Sequence, residues 1–112
     1  MTDPTEVVGS FNDAINRRDL GTLAALMTDD HRFTDAAGGH VHGKASCVDA
    51  WRGFFAGYPD YRNVFGEVTD EGDGVVTVRG HSICSVPELD GPARWRAVVV
   101  DDRVASWHVT GA

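Results

Sequence analysis

Apolar residues recur at helical spacing over the first part of the chain. Asp3 and Pro4 supply an N-cap acceptor and a first-turn proline, which are typical of a helix start. We therefore expect a helix from about Pro4 to Arg17. Its buried stripe consists of Val7, Val8, Phe11, Ala14 and Ile15.

The next apolar positions indicate a second, shorter helix. Asp19 can cap it, and it is expected to run through Met27, where Asp29 and Asp30 close it. Its buried side consists of Leu20, Leu23, Leu26 and Met27.

The pattern then changes to strand, turn and strand before it becomes helical again. His31 to Asp35 is predicted as a strand, Ala36 to Gly39 as a glycine turn and His40 to His42 as a second short strand. From Gly43 a third helix is expected, which Pro59 ends. Its broad apolar face consists of Val48, Trp51, Phe54, Phe55 and Tyr58.

The second half of the chain consists of β-rich runs separated by turn residues. Each run can pair antiparallel with the next, which predicts a meander. A curved sheet wrapped around three N-terminal helices gives an α+β, cone-shaped domain with a conical pocket. The four runs are Arg62 to Thr69, Val75 to Ser85, Arg94 to Val100 and Arg103 to Val109.

Composition narrows the classes of partner. The 112 residues predict one domain, spanning 1–112, with one sizeable core. Ten Lys and Arg against seventeen Asp and Glu give a formal net charge of −7. This charge repels phosphate backbones and anionic lipid heads, so we expect neither nucleic acid nor membrane as a partner.

The two cysteines and the N-terminus indicate a cytoplasmic protein. Cys47 and Cys84 lie far apart without a CxxC motif, which favours free thiols. The opening MTDPTEVV has neither the basic start nor the apolar run of an export signal.

The order of elements and three local strings resemble the nuclear transport factor 2-like superfamily, and within it the SnoaL-like and ketosteroid isomerase-like proteins. The strings are NRRDLGTLAALMTDDHRFTD, HGKASCVDAWRGFF and DDRVASWHV. The resemblance covers nearly the whole chain and implies the cone-shaped, mainly antiparallel fold. This superfamily hosts isomerases, cyclases, hydratases, dehydratases and proteins without chemistry, so the fold does not settle the function.

The resemblance also implies roles for single positions. Asp35, in FTDAAGG, matches the general base of the ketosteroid isomerases, while Phe11 stands where they carry an oxyanion-hole tyrosine. The second carboxylic acid of those isomerases aligns near Trp95 or Arg96 of this sequence, and neither residue is an acid. In the isomerase oxyanion hole, a carboxylic acid has a raised pKa, so it stays protonated and can donate a hydrogen bond. This sequence lacks such an oxyanion hole.

Asp35 has two interpretations. At the mouth of an apolar cone it would lose hydration, which raises the pKa of a carboxyl group toward the range of a general base. At the end of a strand it could instead accept backbone N–H bonds from the Ala36 to Gly39 turn. Arg96 also has two possible orientations. Facing inward, it could pair with Asp35 or bind an anion. A one-residue slip of the strand would turn it outward.

Aromatic residues could line a pocket for a flat apolar molecule or form ordinary core. Trp51 and Trp107 match pocket-lining positions of the isomerases. The candidate substrate-binding residues are Phe11, Phe33, Trp51, Phe55, Tyr58 and Trp107.

The histidines are weaker candidates for a functional site. His40 and His42 would share a face of their strand and, with His31 or Asp35, could bind zinc or iron, but no third ligand stands at a recognised spacing. We therefore expect no metal and no other cofactor. His81 and His108 are expected on the outer side of the sheet, where a homodimer could form.

Together these patterns predict a SnoaL-like protein that binds a small apolar molecule. If it is an enzyme, Asp35 would act as general base in an isomerisation, a cyclisation or a lyase-like proton transfer, with Arg96 holding developing negative charge. The alternative is a non-catalytic ligand-binding or dimerisation module. An epoxide hydrolase-like activity would need an Asp-Arg-Asp arrangement inside the cone.

Overall fold

The computed structural model describes residues 3–110. Three helices precede or interrupt the strands: α1 (Pro4–Arg17), α2 (Leu20–Ala25) and α3 (Lys44–Gly57). One turn of 3₁₀ helix spans Pro87–Leu89. The strands are β1 (Met27–Thr34), β2 (His40–His42), β3 (Arg62–Gly72), β4 (Val75–Ile83), β5 (Gly91–Val100) and β6 (Arg103–Val109).

The six strands form one mixed sheet in the order β2-β1-β6-β5-β4-β3. The meander from β3 to β6 is antiparallel throughout, and β1 pairs antiparallel with β2. Only β1 and β6, among the described strands, run parallel. The predicted α+β architecture with a mainly antiparallel sheet is confirmed.

Helix α1 begins and ends as its sequence predicts. The Asp3 carboxylate accepts the Thr5 N–H at 2.8 Å, and Arg18 closes the helix with φ 57°. The predicted apolar stripe is buried along its whole length. This stripe fixes α1 against the inner face of the sheet.

The second predicted helix is shorter than expected. Helix α2 ends at Ala25, and Met27 already belongs to β1, four residues before the predicted strand start at His31. Met27 pairs with Val104, whose N–H donates to the Leu26 carbonyl at 2.6 Å. Because β6 offers this backbone partner, tertiary pairing overrides the local helical pattern.

The sheet bends where β3 and β4 approach each other most closely. The register shifts between Phe65 and Glu67, which leaves Gly66 in a bulge. A Cβ at Gly80 would lie 2.1 Å from the Val64 carbonyl oxygen. Glycine at this position therefore allows the close backbone contact that accompanies the bend.

Aromatic rings fill the space between α1 and the sheet. Phe11 packs on Trp107 with 4.7 Å between ring centroids, and Phe65 lies 5.2 Å from Trp95. Phe11, Trp95 and Trp107 are buried. The two cysteines are buried free thiols, as predicted.

His31 is fully buried beside this cluster, 5.6 Å from the Phe11 ring. Its Nδ1 lies 2.6 Å from the Val104 carbonyl oxygen, so Nδ1–H donates and the ring is in a defined tautomer. Nε2 has no hydrogen-bond partner among the described residues. Burial lowers the pKa of His31, against smaller opposing effects of the Val104 hydrogen bond and the Asp30 charge.

Within residues 3–110, no helix combines the length and apolarity that a membrane crossing would require.

Gly80→Ala is expected to destabilise the fold by about 2 kcal/mol or more, because the new methyl group collides with backbone rather than with a movable side chain. Gly53→Ala is the control, since its Cβ meets nothing within 4 Å in the middle of α3. That change should instead stabilise by roughly 0.5 to 1 kcal/mol. Urea unfolding measures both, and equal effects of the two substitutions would contradict the close-contact argument.

His31 should make stability depend on pH. Its native pKa lies below the ordinary 6.5, so the unfolded chain takes up the proton first as the pH falls. The stability due to neutral His31 is therefore fully present above pH 6.5 and declines below it, until the native pKa is reached.

The measurement compares urea unfolding at pH 7.5 and pH 5.5. His31→Asn retains a donor for the Val104 carbonyl but does not titrate, so its loss of stability between the two pH values should be smaller than that of the wild type. His81→Asn, at an exposed position, is the control and should keep the wild-type slope. An unchanged slope in His31→Asn would refute this assignment.

Candidate functional site

A cavity of about 360 Å³ opens between α3 and one end of the sheet, next to the loop around residues 88–92. Side chains from α3, from the strand ends and from this loop form its wall. The wall is predominantly apolar, and its main contributors are Phe33, Trp51, Phe54, Leu89, Ala93 and Val109.

Helical spacing explains why two of the aromatic rings share the cavity. Trp51 and Phe54 are three residues apart on α3 and therefore project from the same side. Trp51 contacts Phe33 edge to face, with ring centroids 5.5 Å apart. Phe54 contacts Tyr61 in the same way at 4.7 Å. These edge-to-face pairs fix the rings that surround the cavity.

A chain of buried hydrogen bonds begins at the cavity wall. The Tyr61 and Ser82 hydroxyls are 3.2 Å apart, and both residues line the cavity. Ser82 Oγ–H donates to Asn63 Oδ1 at 3.1 Å. Burial raises the pKa of Tyr61, so its hydroxyl stays protonated at neutral pH.

Helix α1 holds this chain in place through the Asn63 backbone. Asn16 Oδ1 accepts the Asn63 N–H at 2.9 Å, and Asn16 Nδ2 donates to the Asn63 carbonyl at 2.8 Å. Asn12 Nδ2 donates to the same carbonyl at 3.3 Å. Hydrogen bonds through Asn63 therefore connect the hydroxyl pair at the cavity to helix α1.

The ionisable side chains at the cavity, apart from Tyr61, are three exposed carboxylates: Asp35, Glu88 and Asp90. Asp90 Oδ1 accepts the Cys84 N–H at 3.0 Å. Within the described residues none of the three forms a salt bridge, and no Lys, Arg or His lines the cavity. The site therefore carries uncompensated negative charge.

Asp35 adopts the geometry of the turn-forming alternative. Its Oδ1 accepts the N–H groups of Ala37 at 2.9 Å and Gly39 at 2.8 Å. The side chain is exposed, so the burial that the catalytic interpretation required is absent. Asp35 nevertheless contributes to the cavity wall, and Oδ2 has no hydrogen bond within residues 3–110.

Arg96 faces away from the cavity. It is exposed on the outer face of β5, whereas Trp95 is 1% exposed on the inner face. The register with β4 runs without a bulge from Val98 to Gly91, so alternation fixes Arg96 outside. The inward alternative is therefore corrected, and an Asp-Arg-Asp arrangement inside the cone is not formed by the described residues.

Two of the six predicted pocket aromatics, Phe33 and Trp51, line the cavity. Phe11 and Trp107 lie in the core instead and pack on each other. Phe55 is buried against Trp51 beneath the Arg18 guanidinium. Tyr58 is half-buried against Phe54. Phe11, Trp107 and Phe55 are enclosed where α1 and α3 pack on the sheet, and Tyr58 lies outside the cavity wall.

Sequence reasoning missed Tyr61 and Ser82 as wall residues and treated Phe54 only as part of an apolar face. The alternation of Tyr61, Asn63 and Phe65 offered a signal, since these residues share the inner face of the chain entering β3. Ser82 had no such signal, because a single serine in a strand is common on either face.

The histidines do not assemble a metal site among residues 3–110, where no group of three or more His, Cys, Asp or Glu is suitably placed. His40 and His42 are exposed on β2, whereas His31 is buried and bonded to Val104. The predicted outer position of His81 is confirmed by its exposure.

Solved structures with the same fold are similar to this chain along most of its length. A candidate polyketide cyclase from Sinorhizobium meliloti is 20% identical, with a TM-score of 0.85 over 94% of each chain. A candidate SnoaL-like polyketide cyclase from Shewanella putrefaciens is 18% identical, with a TM-score of 0.83 over 99% of this chain and 80% of the other. A candidate ketosteroid isomerase from Kribbella flavida is 17% identical, with a TM-score of 0.82 over 97% and 77%.

Such low identities show the fold and leave the chemistry open. No curated protein matches the chain. The family model described as SnoaL-like domain matches residues 8–110, which is nearly the whole sequence. The chain therefore belongs to the SnoaL-like domain family.

Proposed function

We propose that this protein binds a compact, predominantly apolar molecule in the cavity between α3 and the sheet. The cavity itself carries the proposal: its volume of about 360 Å³ falls in the range of small-molecule sites, and its predominantly apolar wall includes the rings of Phe33, Trp51 and Phe54. The hydroxyls of Tyr61 and Ser82 supply the few polar contacts that orient a ligand in such a site.

A second candidate function is cofactor-independent proton transfer with Asp35 as general base, as in an isomerisation or a cyclisation. It is supported by the position of Asp35 at the cavity and by the two N–H donors that hold its Oδ1 in place. Oδ2 then remains to accept a proton. The names of the Shewanella and Kribbella neighbours agree with chemistry of this kind on the same fold.

The competing function is ligand binding without chemistry. Phe11 supports it, because it packs in the core at the position where the isomerases carry a donor tyrosine. A carbanion beside a carbonyl needs a donor for its developing charge as well as a base. Binding is therefore the better supported function, and base catalysis is the additional step that experiment must show.

Two expectations from the sequence remain proposals: a cytoplasmic location and a homodimer joined through the sheets. The exposed apolar side chains on the strands support the dimer, since they would be covered by a second copy. They are Val64, Ile83 and Val100 on the outer face, whereas exposed Val68 lies opposite buried Val78 on the other face.

Filling the cavity should weaken binding without unfolding the protein. Ala50 lies on the exposed side of α3 and lines the cavity, so Ala50→Trp places an indole at the mouth. Indane is the probe, titrated by protein NMR. Its dissociation constant should rise by roughly tenfold or more in this variant, since the ring contacts that hold it are lost.

Ala56→Trp is the matched control, because Ala56 is exposed on the same helix and does not line the cavity. It should bind indane as the wild type does. Equal affinity in all three proteins, or no binding of indane by the wild type, would refute the proposed site.

Asp35-dependent proton transfer predicts accelerated hydrogen–deuterium exchange at C1 and C3 of 2-indanone in D₂O, followed by NMR. Asp35→Asn keeps an acceptor for the turn but removes the base, and should slow the catalysed exchange by roughly tenfold or more. Gly39→Ala should also slow it, because the added Cβ would lie 2.7 Å from Asp35 Oδ2 and displace the carboxylate.

Asp13→Asn, at an exposed position on α1, controls for the loss of one negative charge and should leave exchange unchanged. Exchange at the wild-type rate in Asp35→Asn would exclude the base role while leaving the binding function intact.

A further inference from the structure

We infer that the cavity selects a hydrogen-bond donor: an alcohol, a phenol or a protonated amine on a compact ring, in preference to a ketone or a carboxylate. This inference rests on the proposed binding function and specifies its ligand class. It follows from the direction of the hydrogen bonds at the cavity wall together with the charges around it.

The hydroxyl proton of Ser82 already takes part in a hydrogen bond. Ser82 Oγ carries one hydrogen and donates it to Asn63 Oδ1 at 3.1 Å. The contact between Ser82 Oγ and Tyr61 at 3.2 Å therefore requires the tyrosine proton, because the serine has no second one to give. The chain runs from Tyr61 through Ser82 to Asn63, and the phenolic oxygen keeps only acceptor capacity toward the cavity.

Burial makes this arrangement costly to reverse. Tyr61 is 7% exposed and Ser82 is 6% exposed, so leaving either hydroxyl without its partner would be costly. Asn16 holds the Asn63 backbone, and the Asn63 amide presents Oδ1 to Ser82 at the end of the chain. A ligand carbonyl would have to take the Tyr61 proton away from Ser82, whereas a ligand O–H or N–H adds a bond without breaking one.

The charged groups around the cavity also favour a ligand that donates hydrogen bonds. Asp35, Glu88 and Asp90 are carboxylates that only accept hydrogen bonds when ionised, and no basic side chain among the described residues lines the cavity. An anionic ligand would meet like charge, whereas an ammonium group would meet these carboxylates. Among the polar side chains of the wall, the three carboxylates and the Tyr61 oxygen therefore accept hydrogen bonds, whereas the Trp51 indole N–H is buried without a partner among the described residues.

The test uses compounds that share one ring framework: indane, 2-indanone, 2-indanol, 2-aminoindane and indane-2-carboxylate. Their dissociation constants are measured by protein NMR at pH 7. We expect 2-indanol and 2-aminoindane to bind roughly three- to tenfold more tightly than indane, as one added hydrogen bond or ion contact predicts. The ketone should bind no more tightly than indane, and the carboxylate should bind more weakly.

Variants locate the effect. Tyr61→Phe should remove the advantage of 2-indanol over indane, since the acceptor oxygen is gone. Ser82→Ala should instead strengthen the binding of the ketone, because Tyr61 loses Ser82 as the acceptor of its proton and can donate to a carbonyl. The affinity of 2-indanone relative to indane should then rise by roughly threefold or more. Tyr58→Phe is the control, as Tyr58 does not line the cavity, and should leave the whole series unchanged.

The wild-type series alone can overturn the inference. Tighter binding of 2-indanone than of 2-indanol would show that the wall donates, and the donor preference would be wrong while the binding function stands. An unchanged preference in both Tyr61→Phe and Ser82→Ala would exclude the hydroxyl chain as its source. Failure of indane itself to bind would instead refute the proposed function.

Discussion

The packing of Phe11 on Trp107 determines where this protein can hold a ligand. The two rings, 4.7 Å apart and fully buried, fill the space between α1 and the sheet. With His31 beside them and bonded to the β6 backbone, that region is closed core. A cavity remains between α3 and the strand ends, where Tyr61, Ser82 and three carboxylates supply polar contacts to a ligand.

Much of the fold could be predicted from local patterns. The Asp3 cap, the stripe on α1 and the run of β-rich segments each indicate one structure, and the structure agrees with them. The boundary between α2 and β1 could not be predicted in this way. Met27 continues the helical spacing of its neighbours, but pairing with Val104 on a distant strand places it in the sheet.

The candidate site depended on features that sequence cannot fix. Whether Arg96 pointed in or out was decided by the register between β4 and β5, and a bulge would have reversed it. Asp35 was identifiable as a strand-end carboxylate, but its exposure depends on how far the turn extends from the cavity. Tyr61 became important only through its contact with Ser82, 21 residues away.

Membership of the SnoaL-like family and the direction of the hydrogen bonds answer different questions. The family establishes the fold, on which catalysts and binding proteins both occur. The chemistry has to come from the wall of the cavity, where a carboxylate can accept a proton but the Tyr61 hydroxyl already donates its own proton to Ser82. Such a wall suits recognition of a donor better than stabilisation of an oxyanion.

The central claim is that a compact apolar molecule occupies the cavity beside α3. Intermolecular NOEs between bound indane and the protein test it most directly. Contacts to the Trp51 indole, the Phe54 ring and the Leu89 methyl groups are expected. Contacts confined to the outer sheet residues Val64 and Ile83, or to the ring of Phe11, would contradict it.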